Sequence, residues 1–295
     1  MHQQNDVQEF NTVLMDALET KAAKMKGKKI DFRALFEGKR KTVIKCQKVD
    51  YSSEREDTYT DLQLNVRGFP TLEESLKAQV EDEEMDGANQ YDAGEFGKQD
   101  AIKMNVLEEF PPVLLLQLMR FEFDPETLGL KKVHDSFKFP ERLDLNPLVE
   151  KHRKLTKKDK KHNFFQLHSI LMHRGGFGAG HYFAYIKPAP SSHEDGDKWL
   201  KFNDEEVSHV EKELVFNQAF GGVKLVKKIL SGRVVETEQN TNISAYMLVY
   251  LRESEEERLL DRPSEHEIPP HLTQQFAEEA RMEDVLQDLE QQEKD

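Results

Sequence analysis

Apolar residues recur at helical spacing over residues 6–23, where Val7, Phe10, Leu14 and Leu18 share one face. Asp6 precedes them and Glu9 falls three residues later, the spacing of a capping box, so an amphipathic helix is predicted there, ending near Gly27. A second helix is predicted from Thr71, with Glu74 three residues on and Leu72, Leu76 and Val80 along one side. Between the two the period shortens. Residues 40–49 alternate loosely and residues 61–66 strictly, so they are predicted to pair as strands across a long polar loop around residues 51–56. Pro111 and Pro112 introduce the strongest signal, the apolar run Val113 to Phe121, interrupted by Gln117, which reads as a strand buried on both faces. Further strands are predicted at 164–173, 181–187, 199–203 and 245–251. Strands outnumber helices and most are candidates for antiparallel pairing, so the predicted fold class is α+β.

Past Arg252 the pattern fades into Glu, Gln and Asp with sparse apolar residues, which predicts an exposed helical tail, partly disordered. The expected organisation is one folded region over 1–252 and an acidic tail or linker over 253–295. Charge sharpens this division. The tail holds 15 acidic residues against 4 basic, a net of -11 out of the chain's -14, which leaves 1–252 close to neutral. Nucleic acid is therefore not an expected partner. The one basic run, 151–161, reads as a solvated loop, with a nuclear-import or anion-binding patch as the sharper alternative. No apolar run is long enough to span a bilayer, so no membrane partner is expected. The N-terminus has no signal pattern, and a single cysteine cannot form an internal disulfide. Together these predict a soluble protein of the cytoplasm, the nucleus or both.

Candidate chemistry gathers in two segments, Gly178 to Tyr185 and Trp199 to Asp204. His181 sits on the lip of a loop bearing Gly175, Gly176, Gly178 and Gly180 and leads into an aromatic strand, a rigid seat for a base. Alone, such a histidine is more often a turn residue. Asn203 and Asp204 read in the bland case as an Asx turn. In the functional case Asn203 accepts from the imidazole N–H and fixes its tautomer, while Asp204 stabilises an imidazolium or orders a water. A base and its orienter imply a thiol nucleophile, and here the pattern breaks. The only cysteine, Cys46, lies in a strand-like stretch without the helix N-terminus or small-residue approach that a reactive thiol needs, and reads as structural. The 11 histidines form no HExxH pair and one thiol cannot build a CxxC site, so no metal and no cofactor are expected.

These segments resemble the ubiquitin-specific proteases. Residues 4–10 resemble that family's helix-opening motif, Val113 to Phe121 its buried palm strand, Gly180 to Tyr185 its histidine box, and Trp199 to Asp204 its Asn/Asp segment. The resemblance implies a papain-like cysteine-protease fold described as fingers, palm and thumb. It also implies hydrolysis after the C-terminus of ubiquitin, with ubiquitin and ubiquitinated proteins as partners. Carried over position by position, His181 is the general base, Asn203 the orienting residue and Asp204 the neighbouring acid. Asp6 and Gln8 match residues lining the channel for ubiquitin's extended tail. The segments from Phe121 to Val133 and from His173 to Gly180 match two blocking loops, so Phe121, His173 and Tyr182 are expected at the ubiquitin surface. Most members hold zinc in their fingers through paired CxxC motifs, which this chain lacks. The family's cysteine box lies upstream of the motif matched at 4–10. The expectation is therefore a residual thumb helix at 6–23 and fingers and palm over 30–252, with most of the thumb and the nucleophile missing and no turnover from these residues alone. The alternative is a non-catalytic ubiquitin-binding module, or a scaffold acting through its acidic tail.

Overall fold

The strongest apolar segment forms the strand Val113–Met119, buried from Val113 through Leu118. Ile243–Arg252 pairs with one edge antiparallel and Asp61–Asn65 runs parallel along the other, so both faces and both edges are covered. That is why, Gln117 apart, the run carries apolar residues at successive positions rather than alternate ones. The computed structural model describes residues 7–25, 31–230, 233–262 and 264–294, which fall in two compact units, Met1–Glu257 and Arg258–Asp295.

The first unit is built on an eight-stranded sheet. Its order is Glu206–Val210, Trp199–Asn203, Ala179–Ile186, Phe164–Gly176, Ile243–Arg252, Val113–Met119 and Asp61–Asn65, with Arg142–Asp144 pairing the start of Phe164–Gly176. Helix Leu72–Gln79 adds Leu72 and Leu76 to the core, joined by Val80 just beyond its end. Its start is fixed as the sequence predicts: the Glu74 N–H donates to Thr71 Oγ1 at 3.3 Å. Helix Lys212–Ala219 packs Phe216 edge-on against the buried Trp199, ring centroids 6.0 Å apart.

A second sheet of four strands runs Ser52–Tyr59, Gly38–Cys46, Ala101–Glu109 and Glu83–Met85. Here the structure departs from the pattern reading. Residues 61–66 do not pair with residues 40–49; the segment expected as a loop, Ser52–Tyr59, takes that edge. Ala101–Glu109, which the pattern did not mark, takes the other. Ser52–Tyr59 is mostly exposed, so no buried face imposes an alternation on its side chains. Two hairpins, Phe121–Asp124 with Gly129–Lys132 and Val223–Leu230 with Arg233–Asn240, complete the larger strands of this unit.

The N-terminal helix spans Val7–Lys24 and buries only Ala22. Phe10, Val13 and Leu14 stand 61%, 62% and 40% exposed, so its apolar face is present but the described residues leave it largely uncovered. Asp6, the expected cap, lies outside the described residues. In the second unit a 25-residue helix, Pro270–Lys294, exposes Phe276, Met282, Val285 and Leu286. No helix among the described residues is long and apolar enough to cross a membrane.

Candidate active site

His181 is carried by Ala179–Ile186 and Asn203 ends the neighbouring strand Trp199–Asn203. Asn203 pairs with Glu206, which leaves Asp204 and Glu205 as a two-residue hairpin turn. Asp204 takes the left-handed φ of 53° that such a turn requires and that Asp tolerates better than most residues. The hairpin therefore fixes the direction in which Asn203 projects.

His181 Nε2 lies 2.8 Å from Asn203 Oδ1. A carboxamide oxygen only accepts, so Nε2 carries the proton and donates it, and Nδ1 is left with its lone pair. A base needs that state. Asp204 Oδ2 lies 3.6 Å from Nε2, beyond hydrogen-bond range, so Asn203 is the residue that orients the ring. The His181 side chain is 37% exposed and Asp204 72%, so the pair opens to solvent on one side. Beneath it the imidazole stacks on the buried Phe183, centroids 6.4 Å apart at 22°.

The glycine-rich stretch before His181 is not an irregular loop. Pairing between Phe164–Gly176 and Ala179–Ile186 runs out to Gly176 opposite Ala179, leaving only Phe177 and Gly178 as the turn. Glycines hide this in the sequence because they carry no side chain to show a period of two. Gly180 has a specific role: a Cβ there would meet His173 Nε2 at 2.2 Å and the Arg174 carbonyl at 2.7 Å. Only glycine allows His173 to lie so close to the backbone leading into His181.

Three of the expected ubiquitin-facing residues come together. The His173 ring lies 5.3 Å from Phe121 and 4.9 Å from Tyr182, centroid to centroid. His173 itself is only 2% exposed, so its expected place at the surface needs correcting: in this conformation it supports Phe121 and Tyr182 from within. Gln8 stands apart on the N-terminal helix, its amide 3.5 Å from Asp61 Oδ2. Asp6 lies outside the described residues. Two members of the aromatic wall escaped the sequence reading. Tyr246 lies 5.5 Å from Tyr182 and 6.1 Å from Phe121, its hydroxyl accepting from Gln117 Nε2 at 3.1 Å, and Phe177 lies 5.7 Å from Phe121.

Cys46 ends its strand in the other sheet, 5% exposed in a small cluster with Ala93 and Ala101. It is the only thiol in the sequence, and it does not belong to the sheet that carries His181. Among the described residues no three His, Cys, Asp or Glu side chains are grouped to hold a metal ion.

Residues 1–250 match the ubiquitin carboxyl-terminal hydrolase family. The chain is 42% identical over 289 residues to ubiquitin carboxyl-terminal hydrolase 15 of Saccharomyces cerevisiae, covering 94% of this chain and 23% of that protein. It is 39% identical over 282 residues to ubiquitin carboxyl-terminal hydrolase 7 of Drosophila melanogaster, covering 95% of this chain and 23% of that one. The chain thus spans under a quarter of the length of these relatives. Its fold is similar to a chain in the SAGA Ubp8/Sgf11/Sus1/Sgf73 DUB module bound to ubiquitin aldehyde, with a TM-score of 0.64 and 26% identity over 85% of this chain and 50% of that one.

Proposed function

The chain belongs to the ubiquitin carboxyl-terminal hydrolase family and has its α+β, papain-like catalytic fold, and on that premise we propose that residues 1–252 are the base-bearing part of a cysteine-type deubiquitinase that removes ubiquitin from protein conjugates. The observation that carries this reading is the 2.8 Å contact between His181 Nε2 and Asn203 Oδ1. It leaves Nδ1 free to take a thiol proton and later to return it to the leaving amine. Asp204, 3.6 Å from the ring, is proposed as the neighbouring acid of the site. Cys46, buried in another sheet, is unsuited to be the nucleophile, so we propose that residues 1–295 alone do not turn over and that the sulfur must come from outside them.

Gln8, Phe121 and Tyr182 are proposed to meet the extended tail of ubiquitin, with Asp6 beside Gln8 and His173 supporting the aromatic pair. Residues 253–295 are proposed as an acidic tail or linker. Within the family, residues 91–97, 116–121, 245–250 and 266–269 resemble the herpesvirus-associated ubiquitin-specific protease, and we propose that kinship. A cytoplasmic or nuclear location fits a chain with one unpaired cysteine.

The absence of a thiol from the His181 site also favours a second reading, a non-catalytic ubiquitin-binding module. Two measurements on the recombinant chain test both. Ubiquitin carrying an electrophile at its C-terminus is expected to leave the chain unlabelled; covalent capture at Cys46 would overturn the proposed inactivity. Titration of ubiquitin is expected to shift NMR signals of Gln8, Phe121 and Tyr182. No shift at millimolar ubiquitin would remove the tail channel from the proposal, and the binding module with it.

A further inference from the structure

Lys132 closes the hairpin strand Gly129–Lys132 and is 5% exposed. Among the described residues no carboxylate meets it. Its Nζ lies 2.9 Å from the His173 carbonyl, 3.1 Å from the Asn242 carbonyl and 3.1 Å from His173 Nδ1. An ammonium has three N–H groups, and two are taken by carbonyls that can only accept. The third goes to the ring, so Nδ1 must offer its lone pair and the ring proton sits on Nε2. A cationic His173 would set an N–H against an N–H, which excludes that state while Lys132 is charged. Burial pushes the Lys132 ammonium down to about 8, and the nearby Arg120 charge adds to this. A buried cation is costly, and one without a carboxylate is poorly explained by stability alone.

The other edge of the same ring reaches the catalytic strand. Nε2 and Cε1 of His173 lie where a Cβ on Gly180 would stand, at 2.2 and 2.8 Å, and Gly180 directly precedes His181. The ring also packs against Phe121, Tyr182 and Tyr246. One ammonium thus ties the end of a hairpin, the strand Phe164–Gly176 and the residue before Ile243–Arg252 to a single imidazole.

We propose that Lys132 is a positioning residue for the base: by holding His173 as its neutral Nε2–H tautomer, it sets the backbone at Gly180–His181 and the aromatic wall beside it. That the wall receives a ubiquitin tail rests on the function proposed above; the tautomer lock does not. The test is long-range proton–nitrogen NMR of the imidazoles in the 15N-labelled chain. His173 is expected as one neutral tautomer, protonated at Nε2. Lys132→Met is expected to move both His173 nitrogens toward the average of the two tautomers, to shift the His181 ring signals, and to weaken ubiquitin binding roughly tenfold. Lys132→Arg, which keeps a charged donor, is expected to restore part of each. A wild-type His173 protonated at Nδ1 or at both nitrogens overturns the proposal. So does a folded Lys132→Met chain whose His173 and His181 signals are unchanged. Should Lys132→Met not fold, the wild-type tautomer and the Lys132→Arg spectrum still decide. If wild-type chain binds no ubiquitin while the ring signals behave as stated, the proposed function fails and the tautomer lock stands.

Discussion

His181 and Asn203 meet through a 2.8 Å hydrogen bond although 22 residues separate them, because adjacent strands bring their ends together. The direction of that bond decides which ring nitrogen can act. Asn203→Ala is expected to release Nε2–H and let His181 populate both tautomers, seen as averaged ring nitrogens by NMR. Where the proposed thiol is supplied to this site, kcat on a ubiquitin amide should fall about 100-fold, within the range for general base catalysis. Asn203→Asp keeps an acceptor at the same place and should lose far less. Equal losses from the two substitutions would count against an orienting role for position 203.

Two glycines of the same hairpin should respond differently to one methyl group. Gly180→Ala drives a Cβ into His173 Nε2 and the Arg174 carbonyl, contacts no small adjustment relieves. A loss of ~3 kcal/mol is expected from urea unfolding, in the range for overpacked sites. Gly178 has φ +73° with nothing within 4 Å, so alanine there meets only backbone strain and should cost ~1 kcal/mol. A Gly180→Ala chain as stable as Gly178→Ala would refute the close approach of His173.

Arg120 is 1% exposed and donates to four backbone carbonyls: Asp135 at 2.6 Å, Val133 and Ala245 at 3.2 Å, and Phe220 at 3.4 Å. Burial pushes its guanidinium down to about 10, partly offset by Asp135. Arg120→Met keeps the volume but strands the carbonyls, and should destabilise the chain by ~3 kcal/mol or more. Arg120→Lys can reach fewer of them and should fall between. Calorimetry that ranked lysine below methionine would contradict this account.

The parts of the fold legible in the sequence were those where burial dictates residue type. Val113–Met119 announced itself because both its faces are covered, and helix Leu72–Gln79 because Thr71, Leu72 and Leu76 each meet a local requirement. Ser52–Tyr59 was illegible for the opposite reason. Apart from the buried Tyr59 its side chains largely face solvent, and it is held by backbone bonds to Gly38–Cys46, with Arg40 opposite Asp57 and Lys41 opposite Glu56. A basic strand facing an acidic one was the available signal, and it is one of charge rather than of hydropathy.

The candidate site divides in the same way. His181 and Asn203 could be read because each sits at a strand end marked by glycine or a turn residue. Tyr246 and Lys132 could not, since sheet register brings the first to His173 and the packing of a separate hairpin brings the second. That register shifts between Leu171 and Met172 in the pairing with Ile243–Arg252. A bulge moves every later residue to another neighbour, and no local pattern announces it.

His168 offers a test of buried charge away from the site. It lies where the same pairing shifts, between Leu167 and Ser169, and its Nδ1 is buried with no hydrogen-bond partner among the described residues. Burial pushes its imidazole down from 6.5 to about 4, and the charge of Lys187, paired to it across the sheet, adds to the effect. In the unfolded chain the ring protonates near its ordinary value, so between pH 6.5 and 4 the unfolded state binds the extra proton. Stability must then fall as pH drops through that window, by ~3 kcal/mol in all for this one group. Above pH 6.5 neither state is protonated and the contribution is flat. His168→Gln removes the titration while keeping a polar side chain, so its urea midpoint should fall less between pH 7 and pH 4.5 than that of the wild type. Carboxylates contribute equally to both proteins and cancel in the comparison. Parallel pH curves for the two would show that His168 is protonated as readily in the folded chain as in the unfolded one.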